Sequence, residues 1–150
     1  MSDTRTLIHR WFEEVWNQGR EATIDELFAA DAIAHGLGEK GVEVRGPGEL
    51  KTFWRNLRSA IPDIHIRVED TVADGDKVAA RVFLEGTHTG DGLGIPASGN
   101  RVAVTGIVMV RVLGGQIVDG WNSWDQLGLL QQTGAIQAPP ASYHFTANRS

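Results

Sequence analysis

The spacing of apolar residues changes period along the chain. Between Thr4 and Asn17, residues Leu7, Ile8, Trp11, Phe12, Val15 and Trp16 recur at the i, i+3, i+4, i+7, i+8 positions of a helix with one broad apolar face. Asp3 or Thr4 stands where a cap is wanted, and Gly19 follows where a left-handed residue ends a helix. Thr23 to Phe28 reads as a short second helix, with Thr23 and Glu26 at capping-box spacing. Ala32 to Gly36 reads as a short strand, followed by a glycine-rich loop at Gly36, Gly38 and Gly41. Gly46-Pro47-Gly48 opens a helix from Glu49 to Ala60 with Leu50, Phe53, Trp54 and Leu57 on one side, and Pro62 stops it.

From Asp63 onward the period is two. Ile64, Ile66 and Val68 alternate with His65, Arg67 and Glu69, and Asp74-Gly75-Asp76 is a turn signal. On the next strand Val78, Ala80, Val82, Leu84 and Gly86 share one face, which His88 continues. Thr89 to Asn100 is a loop rich in Gly, Pro and Ser. Arg101 to Leu113 and Gln116 to Trp124 are strands joined at Gly114-Gly115, and Asp125 to Thr133 is a helix stopped by Gly134. Segregated helices and hairpin-linked strands argue an α+β fold with a mostly antiparallel sheet. Residues 1–134 make one domain, and 135–150, with Pro139-Pro140 and no periodicity, reads as an arm or disordered tail.

Composition removes several function classes. With no cysteine there is no disulfide framework, thiolate metal site or thiol catalysis. Fourteen Lys and Arg against nineteen Asp and Glu, with no basic cluster, argue against a nucleic-acid partner. No apolar run is long enough for a membrane span, and Met-Ser-Asp-Thr-Arg lacks the apolar stretch of a signal peptide, so a cytoplasmic protein is expected. The five histidines are scattered and none pairs at zinc-protease spacing, so no metal is expected. Gly90-Asp91-Gly92-Leu93-Gly94 is followed by a strand rather than a helix, which reads as a flexible loop and not a phosphate cradle.

The informative signal is polarity on faces that ought to be apolar. His88 ends a buried strand face, either as a pocket residue or as a hydrogen-bonded rim residue, and His35, beside Ile33, carries the same two readings. The last hairpin depends on register. A three-residue loop, Gly114-Gly115-Gln116, pairs Leu113 with Ile117, Val110 with Gly120, Val108 with Asn122 and Gly106 with Trp124. That face is apolar except for Asn122, which then bonds a neighbouring backbone or addresses a ligand. A two-residue turn slips the pairing by one and puts Asn122 with Ile107 and Met109 instead. Asp125 is placed both to cap the last helix and to act as an acid or base. Trp16 and Trp54 on helix faces, with Trp124, either pack the core or wall a pocket for a flat aromatic ligand. Ile107, Met109 and Trp121 lie on the opposite face between polar neighbours, which suggests a homodimer through sheet faces.

Trp16-Asn17-Gln18-Gly19, Ala34-His35-Gly36, Gly86-Thr87-His88-Thr89-Gly90 with Gly94-Ile95-Pro96 and Ser98-Gly99, Gly115-Gln116-Ile117-Val118, and Trp124-Asp125-Gln126-Leu127-Gly128-Leu129-Leu130-Gln131-Gln132 together resemble the SnoaL-like polyketide cyclases over residues 5–134. The resemblance implies a nuclear-transport-factor-2-like cone: a curved sheet wrapped around helices, with an apolar cavity inside. It implies cofactor-free, metal-free closure of the last ring of an anthracycline precursor by an intramolecular aldol reaction, with an Asp on the final strand as acid and base and His nearby. The family's His-Trp-Asp run falls here on Gly120-Trp121-Asn122, and a polar position on the preceding strand falls on Val108. Asn does not titrate, so it orients an oxygen but abstracts no proton. The sequence also resembles a divergent, dimeric branch implicated in hydroxylating anthracycline-type polyketides. The leading expectation is therefore a hydroxylase-type tailoring enzyme for an aromatic polyketide, self-sufficient or served by a reductase. Asn122 and His88 would hold an oxygen, with Asp125 as a further catalytic candidate, and His35, Trp16, Trp54, Val108, Gly120 and Trp124 would bind the substrate. The alternatives are a cyclase whose base has moved to Asp125 or His88, and a non-catalytic ligand carrier.

Overall fold

A computed structural model of the chain describes residues 3–37 and 43–137. Gly38 and Gly41 of the glycine-rich loop, and residues 138–150 of the C-terminal arm, lie outside the described residues. Helix α1, Thr4–Arg10, is capped by the Asp3 carboxylate, which accepts from the Arg5 N–H. It runs on into a π-helical stretch, Trp11–Asn17, where the sequence pattern alone reads as α-helix. The wider turn broadens the inward arc, so Trp11, Phe12, Val15 and Trp16 are all buried. Asn17 closes the segment with both ends of its amide: Nδ2 donates to the Ile66 carbonyl and Oδ1 accepts from the Ile66 N–H. Helix α2, Glu21–Leu27, starts at Arg20 without a side-chain cap. The expected capping box is absent because the Thr23 hydroxyl donates to Glu14 instead.

Strand β1, Phe28–His35, begins four residues before its expected start and pairs with a three-residue strand, β2, Glu43–Arg45, that the glycine-rich sequence does not announce. Helix α3, Gly46–Ala60, ends ahead of Pro62. Strands β3, His65–Asp74, β4, Lys77–Thr87, β5, Arg101–Leu113, and β6, Gln116–Trp124, follow, and helix α4, Gln126–Gln132, closes the described chain. The six strands form one open sheet in the order β2-β1-β6-β5-β4-β3, antiparallel except for the β1–β6 pair. Alternation along β4 and β5 puts Val78, Ala80, Val82, Leu84, Val102, Val104, Val108 and Val110 inward, where they share one core with the faces of α1 to α3.

The β5–β6 hairpin departs from both registers expected of it. Its turn has two residues, Gly114 and Gly115, both at positive φ, with Leu113 opposite Gln116. One extra residue on β6 then bulges between the Val112–Ile117 and Arg111–Asp119 pairs. The bulge restores the faces that the three-residue loop would have produced: Val110 with Gly120, Val108 with Asn122, Gly106 with Trp124. Among the described residues no helix is long and apolar enough to cross a membrane.

Candidate active site

The inward face of the sheet and the helices enclose a cavity of about 430 Å³, within the range of small-molecule sites. Trp11, Phe12 and Trp16 enter it from the first helix, Leu50, Phe53 and Leu57 from α3, Val104, Val108 and Val110 from β5, and Leu129 and Leu130 from α4. Trp11 stacks on Phe28 at 5.8 Å and Trp16 meets Phe53 edge-on at 6.2 Å. These ring pairs give the interior flat, rigid walls.

The polar residues of the lining are gathered where β6 passes into α4: Asn122, Asp125 and Gln126. Among the described lining residues, Asp125 is the only one with an ionisable side chain. It caps α4, with Oδ1 accepting from the Gly128 N–H at 2.8 Å. Its backbone is fixed on β5 by its N–H to the Thr105 carbonyl. Oδ2 takes no hydrogen bond from any described residue, and Asp125 is exposed, so the carboxylate stands at the rim. Gly128 is where a side chain would collide with that carboxylate, 2.3 Å from Oδ2. Capping and chemistry are thus compatible at this residue, one oxygen for each.

Asn122 is half-buried and its Nδ2 donates to the His35 carbonyl at 2.9 Å. That carbonyl sits at the point where β1 leaves the sheet through Gly36, whose φ is +80° and whose Cβ would fall 2.1 Å from the Asn122 carbonyl. The backbone-bonded reading of Asn122 therefore describes its amide nitrogen, and Oδ1 remains for another donor.

Of the residues expected in the site, Asn122, Asp125, Trp16, Val108, Gly120 and Trp124 lie on the cavity wall, and His88, His35 and Trp54 do not. His88 is fully buried, but its ring faces the loop that follows β4. Nδ1 accepts from the Ser98 N–H at 3.1 Å and lies 2.9 Å from the Ser98 hydroxyl. The His88 N–H donates to Asn100 and its carbonyl accepts from Gly99. His88 closes the base of the 89–100 loop, while Nε2 has no partner among the described residues. His35 sits on the outer side of the sheet, with Nδ1 2.8 Å from Glu43 and its ring stacked on Trp121. A strand alternates its sides, so with Ala34 on the cavity wall His35 faces away. Trp54 donates its indole N–H to the Val15 carbonyl at 2.8 Å and packs helix on helix.

Sequence reasoning missed Gln126, Phe53 and the loop residues Leu93 and Ile95 as parts of the wall. The two loop residues did carry a signal: they are bulky apolar side chains in a stretch otherwise of Gly, Pro and small polar residues. Thr89 and Gly90 tie that loop to the end of α3 through the Ala60 carbonyl. The Gln132 side chain zips α4 to β5, accepting from the Ala103 N–H and donating to its carbonyl. Among the described residues no group of three or more His, Asp or Glu is arranged to hold a metal ion.

The model of the SnoaL-like polyketide cyclases matches residues 6–133. The chain belongs to this family of polyketide-tailoring enzymes. Like other SnoaL-like proteins it folds as an α+β cone of the nuclear-transport-factor-2-like type. Among its relatives, the aklanonic acid methyl ester cyclase DnrD of Streptomyces peucetius is 29% identical over 144 residues, covering 95% of this chain and 99% of that protein. The solved structure of TsrD from Streptomyces laurentii superposes with a TM-score of 0.78 at 29% identity, covering 91% of this chain and all of that one. AclR of Streptomyces galilaeus, a provisionally assigned hydroxylase, superposes with a TM-score of 0.77 at 23% identity, covering 91% of this chain and 84% of that one, and so shares the fold alone.

Proposed function

We propose that the protein catalyses an acid/base carbon–carbon ring closure on an aromatic polyketide, with Asp125 as the group that moves the proton. The observation that carries this reading is that Asp125 alone among the described lining residues has an ionisable side chain, and that one of its oxygens, at the cavity rim, takes no hydrogen bond from any described residue. The aromatic walls suit a flat, polycyclic body. The carboxylate removes a proton from a carbon next to a carbonyl, and the enolate carbon bonds to a second carbonyl carbon of the same molecule. The resulting alkoxide takes the proton back from the Asp125 carboxyl group. Nothing is consumed and the carboxylate is regenerated. Asn122 Oδ1 and Gln126, beside it, orient the oxygens. The aklanonic acid methyl ester cyclases among the relatives make aklanonic acid methyl ester the first substrate to try.

A second reading, hydroxylation, draws on the amide at Asn122 in place of the carboxylate that the family resemblance expects there, with the electrons supplied either by the electron-rich substrate itself or by a reductase partner. Mass spectrometry separates the two. Ring closure gives an isomer of unchanged mass, with one hydrogen fewer on the carbon that forms the new bond and a new hydroxyl on its partner. Hydroxylation brings in an oxygen atom labelled from ¹⁸O₂, with or without an added reductase. An isomeric product supports the first reading, and an oxygenated one replaces it with the second.

Ile107, Met109 and Trp121 are exposed on the outer face of β5 and β6. Pairing of two copies through that face accounts for them, and sedimentation at micromolar concentration checks it, since a purely monomeric species would exclude it.

A further inference from the structure

Gly106 and Trp124 are opposite one another across β5 and β6, both on the inward face. The indole lies flat on the space that a side chain at position 106 would fill. A Cβ built there falls 2.6 Å from Trp124 Cε3, 2.7 Å from Cδ2 and 3.0 Å from Cζ3. Trp124 is on the cavity wall and Gly106, buried beneath it, is not. The ring therefore stands between the glycine and the cavity. The depth of the cavity at this wall is set by how closely the indole settles on the sheet, and that closeness requires glycine.

We propose that Gly106 and Trp124 form a size gauge for the substrate, deepening the reading of the cavity as a site for flat aromatic molecules, on which it rests. Ordinary carbon–carbon contact is about 3.5–4.0 Å, so a methyl group at position 106 displaces the indole by about 1 Å. The sheet backbone is on one side of the ring, so the displacement is toward the cavity. The carboxylate next in the chain is held independently, by the Asp125 N–H to Thr105 and by the Gly128 N–H to Oδ1. The gauge thus changes which ring systems fit without moving the group that reacts with them. Gly106 and Trp124 are specificity-determining residues, not catalytic ones.

Calorimetric titration with dihydroxynaphthalene and dihydroxyanthraquinone tests this on the full chain. Gly106→Ala is expected to weaken the three-ring probe by about tenfold or more while the two-ring probe changes by less than about twofold. Adding Trp124→Leu to that variant is expected to restore the three-ring probe. Equal effects on both probes, or tighter binding of the three-ring probe by Gly106→Ala, would overturn the gauge. If Gly106→Ala does not fold, Trp124→Leu alone must favour the three-ring over the two-ring probe relative to the native protein; unchanged discrimination overturns the gauge as well. Failure of the native protein to bind either probe would overturn the reading of the cavity itself and the gauge with it. Loss of discrimination by the variants alone leaves that reading standing and removes only the gauge.

Discussion

Asn122 and His88 pose the same puzzle in the sequence, a polar side chain on the inward row of an otherwise apolar strand, and the structure gives them opposite surroundings. Asn122 lies on the cavity wall with its amide nitrogen held by a strand end and its oxygen left over. His88 lies two residues past Gly86, where the chain turns into the 89–100 loop, and the Ser98 side chain and backbone fold back over its ring. One position is polar because the site is beside it. The other is polar because a loop without regular structure needs an internal acceptor for its backbone. What separates them is whether the chain a few residues away returns to satisfy the group, and that depends on where a distant residue such as Ser98 is carried.

The comparison is broken most directly at the rim. Asp125→Asn keeps an oxygen that can accept from Gly128, so the cap and the fold are expected to survive with a shift in urea midpoint worth less than about 1 kcal/mol. Turnover is expected to fall by about 10²–10⁴-fold, the usual contribution of a positioned acid or base. The initial rate of isomeric product measures it. A variant with full rate would place the proton transfer elsewhere.

His88→Ala is expected to act on the other quantity. It removes a fully buried ring and leaves the Ser98 N–H without its acceptor, a loss of about 2–4 kcal/mol in urea unfolding. The rate per folded molecule should change far less than in Asp125→Asn. Ser98→Ala, which removes one hydroxyl, should cost about 1 kcal/mol. If His88→Ala were to unfold normally but turn over a hundredfold more slowly, the ring would belong to the chemistry and the contrast would collapse.

These two residues also mark what was legible in the sequence. The long alternating strands and the broad apolar face of the first helix were, because periods of two and 3.6 are written into every residue of such elements. Strand β2 was not: three residues beside glycines carry no period, and it exists because β1 offers it an edge. The face of Asn122 came out as the longer-loop reading had it, although the turn itself is the shorter one. A single bulged residue, Val118 between Ile117 and Asp119, reconciles them, and such a bulge has no compositional mark. Of the site, the β6 residues followed from alternation, while His35 was lost by one step of the same alternation, its neighbour Ala34 taking the inward place. The wall formed by Leu93 and Ile95 depends on where a loop crosses α3, which no local rule supplies.

Asn122→Asp sharpens the contrast by putting a carboxylate where the family resemblance expects one. Here the partner is the His35 carbonyl, itself an acceptor. An ionised Asp would face it with no proton to offer, so the variant is expected to be destabilised by about 1–3 kcal/mol at neutral pH and less so in mild acid, where a protonated carboxyl group donates in place of the amide. Urea midpoints at pH 7 and pH 5 measure the difference. A variant as stable as the native protein at neutral pH, and faster, would show that the backbone tolerates a carboxylate there.

The smallest expected effect lies in the helical layer, where a polar group on a packed face is satisfied by charge, unlike either Asn122 or His88. The Arg10 guanidinium holds the Glu14 carboxyl down to about 2 against the opposing effect of burial, and the Thr23 hydroxyl adds to it. The same carboxylate joins Arg10 at 2.8 Å and Arg20 at 3.1 Å. A carboxyl whose folded value is depressed stabilises the fold above its ordinary value near 4.5 and loses that contribution as pH falls toward 2. Screening by solvent keeps the contribution on the order of 1 kcal/mol. Glu14→Gln is therefore expected to lower the urea midpoint slightly at pH 7 and to converge with the native protein between pH 4.5 and pH 2. Parallel curves across that window would mean that Thr23 and the neutral hydrogen bonds, rather than the charge, hold the first two helices together, and Glu14 would then be a satisfied polar group of the same kind as His88.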